Sequence, residues 1–437
     1  MLILVMSQGM KGYAVMKPSR ISLGCIAFVL LVSPFVAGAS ATTKFEIPPT
    51  LPAQMLAPAS LLSGNGFHVD REVPTDGLLA HFTIHSDVGT FKATGLEMLR
   101  IRVAEIPAII QLTKTTKTQV FAEAAASNAV APVHAAQQMV THPVDTVKGL
   151  PSGVGRFFGR VSLGAQRLKE AASQPQEAPP SEKAATVAKR AGQTTRDVFG
   201  YEQERRELAK KLHVDPYTTN PVLSRQLDDF ALVAFRAHVA VNTTMSVLVP
   251  GSMAITATRV VSAMVWDTPK ADLIVQNEKR LKELNVPDSQ IKALERNRVL
   301  PLSVQTAFVA NLNRLSGVPG AVAAVRLAST ATSEAQARFL TDAVGMLARY
   351  HQTQVPLKRI IVRRTIVGQD QRGAIVVEAP VDYVSWTEQL SYFAHRPDLQ
   401  ATRRTIWLTG QLSPLARTNF SSLDWVVKEK VNPIPGP

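Results

Sequence analysis

The sequence predicts an α+β protein, helix-rich, with a small N-terminal antiparallel sheet and a small C-terminal α/β portion. Three observations predict it. Apolar and polar residues alternate with period two between 66 and 94. Apolar residues then recur at steps of three and four through most of 96–350. β-Branched runs return in the C-terminal stretch, interleaved with one short capped helix.

Residues 1–41 are expected to form a secretory signal peptide. Lys11, Lys17 and Arg20 make a positive start, Ile21 to Val36 is almost wholly apolar, and Ala37-Gly38-Ala39 and Ala39-Ser40-Ala41 are two small-x-small cleavage sites. The apolar core is shorter than the ~20 residues of a membrane span; an uncleaved anchor is the alternative. Met16 is a second possible start. The expected location is periplasmic or secreted, with membrane association left open. Cys25, the only cysteine, lies before most of the apolar core, which argues against lipidation. The cleaved chain would hold no thiol, hence no disulfide, thiolate metal site or cysteine nucleophile. Removing the leader's three positive charges lowers the formal charge from +14 to +11. That balance favours anionic partners, an anionic membrane surface or an envelope protein. Nucleic acid is not expected outside the cytoplasm, and at 6% aromatic residues stacking platforms are scarce.

Residues 42–62, with Pro48, Pro49, Pro52 and Pro58, are expected to be an extended spacer. Residues 63–170 then hold the N-terminal sheet plus helices. Phe67 to Arg71, Leu78 to His85 and Thr90 to Thr94 predict three strands, with turns at Pro74–Gly77 and Ser86–Gly89. Leu96 to Leu112 predicts a helix, kinked or divided at Pro107. Within 143–168 a Val/Leu/Phe stripe runs beside Arg156, Arg160 and Arg167, with five glycines interspersed. Residues 171–186 read as a linker and 187–350 as a helical region. There Tyr201 to Leu212, Leu227 to Val249, Ser252 to Trp266, Ser303 to Leu315 and Ser333 to Tyr350 are helical, and Asn220-Pro221 supplies a cap and first helical residue. Residues 351–437 form the C-terminal α/β portion: β-branched runs at Arg359–Val367 and Ala374–Glu378, a strand at Arg404–Thr409, a helix capped at Ser413-Pro414 and a last strand at Trp425–Lys428.

Asp76-Gly-Leu-Leu-Ala-His-Phe-Thr-Ile-His85, Leu99-Arg-Ile-Arg-Val-Ala-Glu-Ile106, Ser152-Gly-Val-Gly-Arg-Phe-Phe-Gly159 and Val214-Asp-Pro-Tyr-Thr218 resemble a family of exported bacterial proteins of unassigned function. The likeness covers most of the chain after the leader and implies export; it implies no activity and no site residue.

The best chemical candidate is the sheet face. If Val73 pairs with Leu78, then His68, Asp70 and His81 share one face and sit close enough for a metal site or a His–Asp proton pair. A solvated polar face explains the same residues. The second candidate is the basic stretch, where Phe157 and Phe158 would enter a membrane interface while Arg156, Arg160 and Arg167 meet anionic headgroups. Docking on the protein's own core is the alternative. The turn Asp215–Asn220 offers polar groups for an ion, or plain capping. Glu378, Asp382 and Glu388, near the hairpin, could act as acids or bases; plain surface acids beside strands are the alternative. Gly-x-Ser-x-Gly, a phosphate-binding Gly-Lys-Ser/Thr loop, His-Glu-x-x-His and a dinucleotide fingerprint are all missing, so no cofactor is expected and catalytic residues stay unassigned. Three readings follow: a non-catalytic envelope component binding an anionic surface or partner; a periplasmic hydrolase or metal-dependent enzyme using the His/Asp cluster; and a small-ligand module with its pocket between the helical and C-terminal parts.

Overall fold

The computed structural model describes residues 44–116, 200–237 and 259–432. The fold is α+β. Two of the expected segments, the signal peptide at 1–41 and the linker at 171–186, lie outside the described residues, as does the basic stretch with Arg156, Phe157, Phe158, Arg160 and Arg167.

The first correction concerns residues 44–62, which are folded rather than an extended spacer. Their prolines start short elements, while Leu51, Leu56 and Leu61 give an apolar side to bury. β1 (Thr50–Pro52) is followed by one-turn helices α1 (Ala53–Leu56) and α2 (Ala59–Leu62) and the short β2 (Ser63–Gly64). Ala53, Leu56 and Leu61 are buried in the N-terminal core.

β3 (Phe67–Val69), β4 (Glu72–Pro74), β5 (His81–Ser86) and β6 (Gly89–Thr94) follow. The antiparallel order is β2-β3-β5-β6, with Phe82, Ile84 and Phe91 turned inward as alternation requires. β4 leaves this sheet and pairs with β1, Val73 opposite Leu51. α3 (Leu96–Thr116) lies against the sheet, burying Leu99, Ile106, Ile109 and Leu112 at helical spacing. It continues through Pro107 as one 21-residue helix.

The middle is helical. α4 covers residues 200–211. α5 (Pro221–Ala237), α6 (Arg259–Asp267), α7 (Lys270–Glu283), α8 (Asp288–Arg296), α9 (Leu302–Asn313), α10 (Ala321–Ser329) and α11 (Glu334–Thr353) follow in order. Asn220 caps α5, its Oδ1 accepting from Val222 N at 3.1 Å, and Ser333 caps α11 by accepting from Gln336 N.

The C-terminal portion is a five-stranded sheet of β7 (Leu357–Val362), β8 (Ile366–Asp370), β9 (Ile375–Ala379), β11 (Arg404–Leu408) and β13 (Trp425–Lys428), in the order β13-β11-β9-β8-β7. The run from Arg359 to Val367 thus divides into two strands, and the hairpin turn falls at 371–374. β9, β11 and β13 are parallel, joined by crossovers that contain β10 (Tyr383–Val384) and α12 (Glu388–Ala394), then β12 (Gln411–Leu412) and α13 (Pro414–Ser422). Phe393 and Phe420, from those two crossover helices, meet Trp425 on one sheet face. From α11, Tyr350 meets Trp407 on the other.

The N-terminal and C-terminal portions interlock. Leu78 and Leu79 belong to the large core of the helices and the C-terminal sheet. Asp382 accepts from Ala80 N at 2.9 Å and Leu96 N at 3.0 Å, and Ser385 N donates to Gly77 O at 3.0 Å.

Candidate functional site

A concavity forms where α3, α6, α9 and α11 meet the ends of the parallel strands. On α3, Glu97, Arg100 and Ile101 are spaced i, i+3, i+4 and so share a face. On α9 the corresponding stripe is Ser303, Val304, Ala307 and Asn311; on α11 it is Arg338, Asp342, Gly345 and Arg349. Thr409 follows β11, Asp382 lies just past β9, and Lys430 to Asn432 follow β13, so the rim sits outside the carboxyl ends of all three parallel strands. The cleft has a volume of about 470 Å³.

α9 and α11 run side by side in the same direction. Ser303 Oγ donates to Asp215, which attracts Arg338; Asn311 Nδ2 donates to Thr341 O at 3.2 Å; and Arg314 meets Gln352. Gly345 permits this closeness: a Cβ there would lie 2.8 Å from Asn311 Nδ2.

The charged groups differ in what already holds them. Asp382 is bonded by the two backbone N–H groups named above, yet burial pushes its carboxyl up to about 6. Asp215 also has its pKa raised by burial, against the hydrogen bonds from Ser303 and Tyr217 N. Arg338 pairs with Glu334 at 2.9 Å. Asp342 has no hydrogen bond or ion pair among the described residues; burial, with Glu97 adding repulsion and Arg338 opposing, raises it to about 7. Arg100 and the Lys430 ammonium likewise meet no partner among the described residues.

The sequence-derived cluster is rearranged. The β3–β5 register sets His68 opposite His85 and Val69 opposite Ile84. This is a two-residue shift from the expected pairing, because β4 turns away to β1 instead of closing a hairpin onto Leu78. A shift of two preserves the face, so the polar residues still share one side. The partners change: His85 Nε2 lies 3.0 Å from Asp70 Oδ1, and the His68 ring stacks on His85 with centroids 5.1 Å apart. His81 is instead 3.5 Å from Asp76, beside Thr94. The His85–Asp70 pair is open to solvent, at 40% and 47% side-chain exposure, where such a pair contributes little. Among the described residues no three or more His, Cys, Asp or Glu side chains are placed to hold a metal ion.

The Asp215–Asn220 turn is used structurally. Asp215 closes a turn onto Tyr217 N at 2.8 Å, and Thr218 and Asn220 both donate to the buried Glu105, which also pairs with Arg102 at 2.9 Å. Glu378 is buried rather than a surface acid, 1% exposed with neither carboxyl oxygen partnered, and Asp382 is half-buried. Glu388 is exposed. Of the cleft residues, sequence reasoning named Asp215 and Asp382 and missed the rest, although one signal was present: Arg338, Asp342, Gly345 and Arg349 form a charged-and-small stripe on one face of α11. No family model, curated protein or solved structure matches the chain.

Proposed function

We propose that the chain is an exported cell-envelope protein with a binding role, and that its binding site is the cleft between α3, α9, α11 and the ends of β9, β11 and β13. The carrying observation is its construction: residues more than 300 positions apart build one cavity of about 470 Å³ with both apolar walls and charged groups. Sites for small molecules have this volume and this mixture, a mostly apolar lining with few polar groups fixing orientation. The basic composition, +14 for the whole chain, favours an anionic partner.

The test fills the cavity. Ala307→Phe places a ring between α9 and α11. A panel of small metabolites screened by thermal shift is expected to contain compounds that raise the melting temperature of the native chain and leave the Ala307→Phe chain unmoved. If every stabilising compound acts equally on both, the cleft is not the site.

The hydrolase reading is favoured by one observation, the contact of His85 with Asp70. It now involves His68, Asp70 and His85, with His81 apart. Loss of a hydrolytic activity on His85→Ala, with His81→Ala unaffected, would support it; equal activity in both variants would remove it.

A further inference from the structure

The cleft has two unlike ends. α9 rises about 16 Å from Ser303 to Arg314, so a ligand lying along it is long rather than round. At the Ser303 end stand Asp215, Trp266 and Arg338. The other end is lined by Arg314, Arg349 and Lys430. Arg314 donates to the Gln352 amide oxygen at 2.6 and 3.2 Å, and Gln352 lies one turn beyond Arg349 on α11. Arg349 Nη1 donates to the Asn432 carbonyl at 2.5 Å, two residues past Lys430.

The Gln352 amide is neutral, so it orients Arg314 without cancelling its charge. Desolvation alone lowers the Arg314 guanidinium pKa, which is what a cation without a nearby carboxylate shows. The acids of the lining are elsewhere: Asp215 at the far end, Asp342 two turns back along α11 with Glu97 acting on it, and Asp382 spent on backbone N–H groups. Between the ends run Val304 and Ala307 on α9 and Phe339 on α11, with Asn311, Thr341 and Asp342 as the polar groups beside them.

We propose that the cleft takes an elongated amphiphilic anion: a carboxylate or phosphate head seated among Arg314, Arg349 and Lys430, and a single apolar chain lying along Val304, Ala307 and Phe339. This rests on the reading of the cleft as the binding site. A bare inorganic anion would leave the apolar walls unused, and a cationic head would meet the like charges of Arg314 and Lys430, which costs affinity.

The experiment titrates the purified full chain, followed by Trp fluorescence, with dodecyl phosphate, dodecanoate, dodecyltrimethylammonium and inorganic phosphate, each below micelle formation. Both anionic amphiphiles are expected to bind, at least tenfold more tightly than the cationic one, and inorganic phosphate is expected not to compete. Arg314→Gln combined with Lys430→Gln changes two side chains outside the packed core, so the fold is kept. It should weaken the anionic amphiphiles at least tenfold and leave the cationic one unchanged. Ala307→Phe should abolish binding of both anions. Equal affinity for cationic and anionic amphiphiles, each lost in Ala307→Phe, overturns the anionic class and leaves the cleft standing. Competition by inorganic phosphate at equal concentration overturns the apolar body. Binding that neither variant alters overturns the cleft itself.

Discussion

At the scale of single residues, two carboxyls, Asp382 half-buried and Glu378 buried, carry different consequences. Asp382 holds the N–H groups of Ala80 and Leu96 and so joins the first sheet, the start of α3 and the last sheet. Asp382→Ala leaves two donors without a partner; each unsatisfied group costs about 1–3 kcal/mol, so urea denaturation should show a loss of that order or larger. Glu388→Ala, at an exposed position, should stay within about 0.5 kcal/mol. Glu378 has no acceptor or donor, and burial raises its carboxyl from 4.5 to about 8. The folded state therefore binds a proton that the unfolded state releases. Its contribution is whole below pH 4.5 and is lost as the pH rises through about 8. Glu378→Gln should match the native chain near pH 4 and gain about 2 °C or more in melting temperature at pH 9. A gain independent of pH would contradict this. Neither burial was legible in the sequence. Both acids stand beside strands, where acids are usually solvated, and what covers Asp382 comes from residues 80–96, about 300 positions away along the chain.

At the scale of elements, legibility followed the range of the interaction. Helix starts at Asn220-Pro221, Ser333 and Ser413-Pro414 were readable because a cap is a contact within three residues. The strand–helix–strand order at the C-terminus was readable from periodicity and came out as the parallel β11 and β13. The register of β3 on β5 was not, because it depends on β4 pairing with β1, and β1 sits in a proline-rich stretch that looked like a spacer. The two glycines between α9 and α10 test another non-local constraint. Gly320 has φ +119, and a Cβ there would meet the Ile360 carbonyl oxygen; Gly317 has φ +82 and nothing within 4 Å. Ile360 N is bonded to Pro319 O at 2.7 Å, so the strand cannot retreat. Gly317→Ala should cost about 1 kcal/mol, the usual left-handed penalty. Gly320→Ala should cost clearly more by chemical denaturation, since strain and overlap add. Equal costs would mean that β7 yields.

At the scale of the whole molecule, the cleft exists because the N-terminal and C-terminal portions interlock around the helices. A pocket between the helical and C-terminal parts was one of three readings open in the sequence; the chemistry of its ends was not, since Arg314, Arg349 and Lys430 come to line one cleft only through the parallel run of α9 and α11 and the return of β13. The proposed export would decide where such a ligand is met. Edman sequencing of the protein from its own envelope should begin at Ser40 or Thr42, one residue past either small-x-small site; a chain retaining Met1 or Met16 would contradict cleavage. The account's central claim, that the cleft is where ligand binds, is tested most directly by hydrogen–deuterium exchange with and without saturating dodecyl phosphate. The predicted result is slowed exchange confined to residues 96–101, 303–314, 335–349 and 430–432. Slowed exchange in 67–94 or 143–168, with those four segments unchanged, would contradict it.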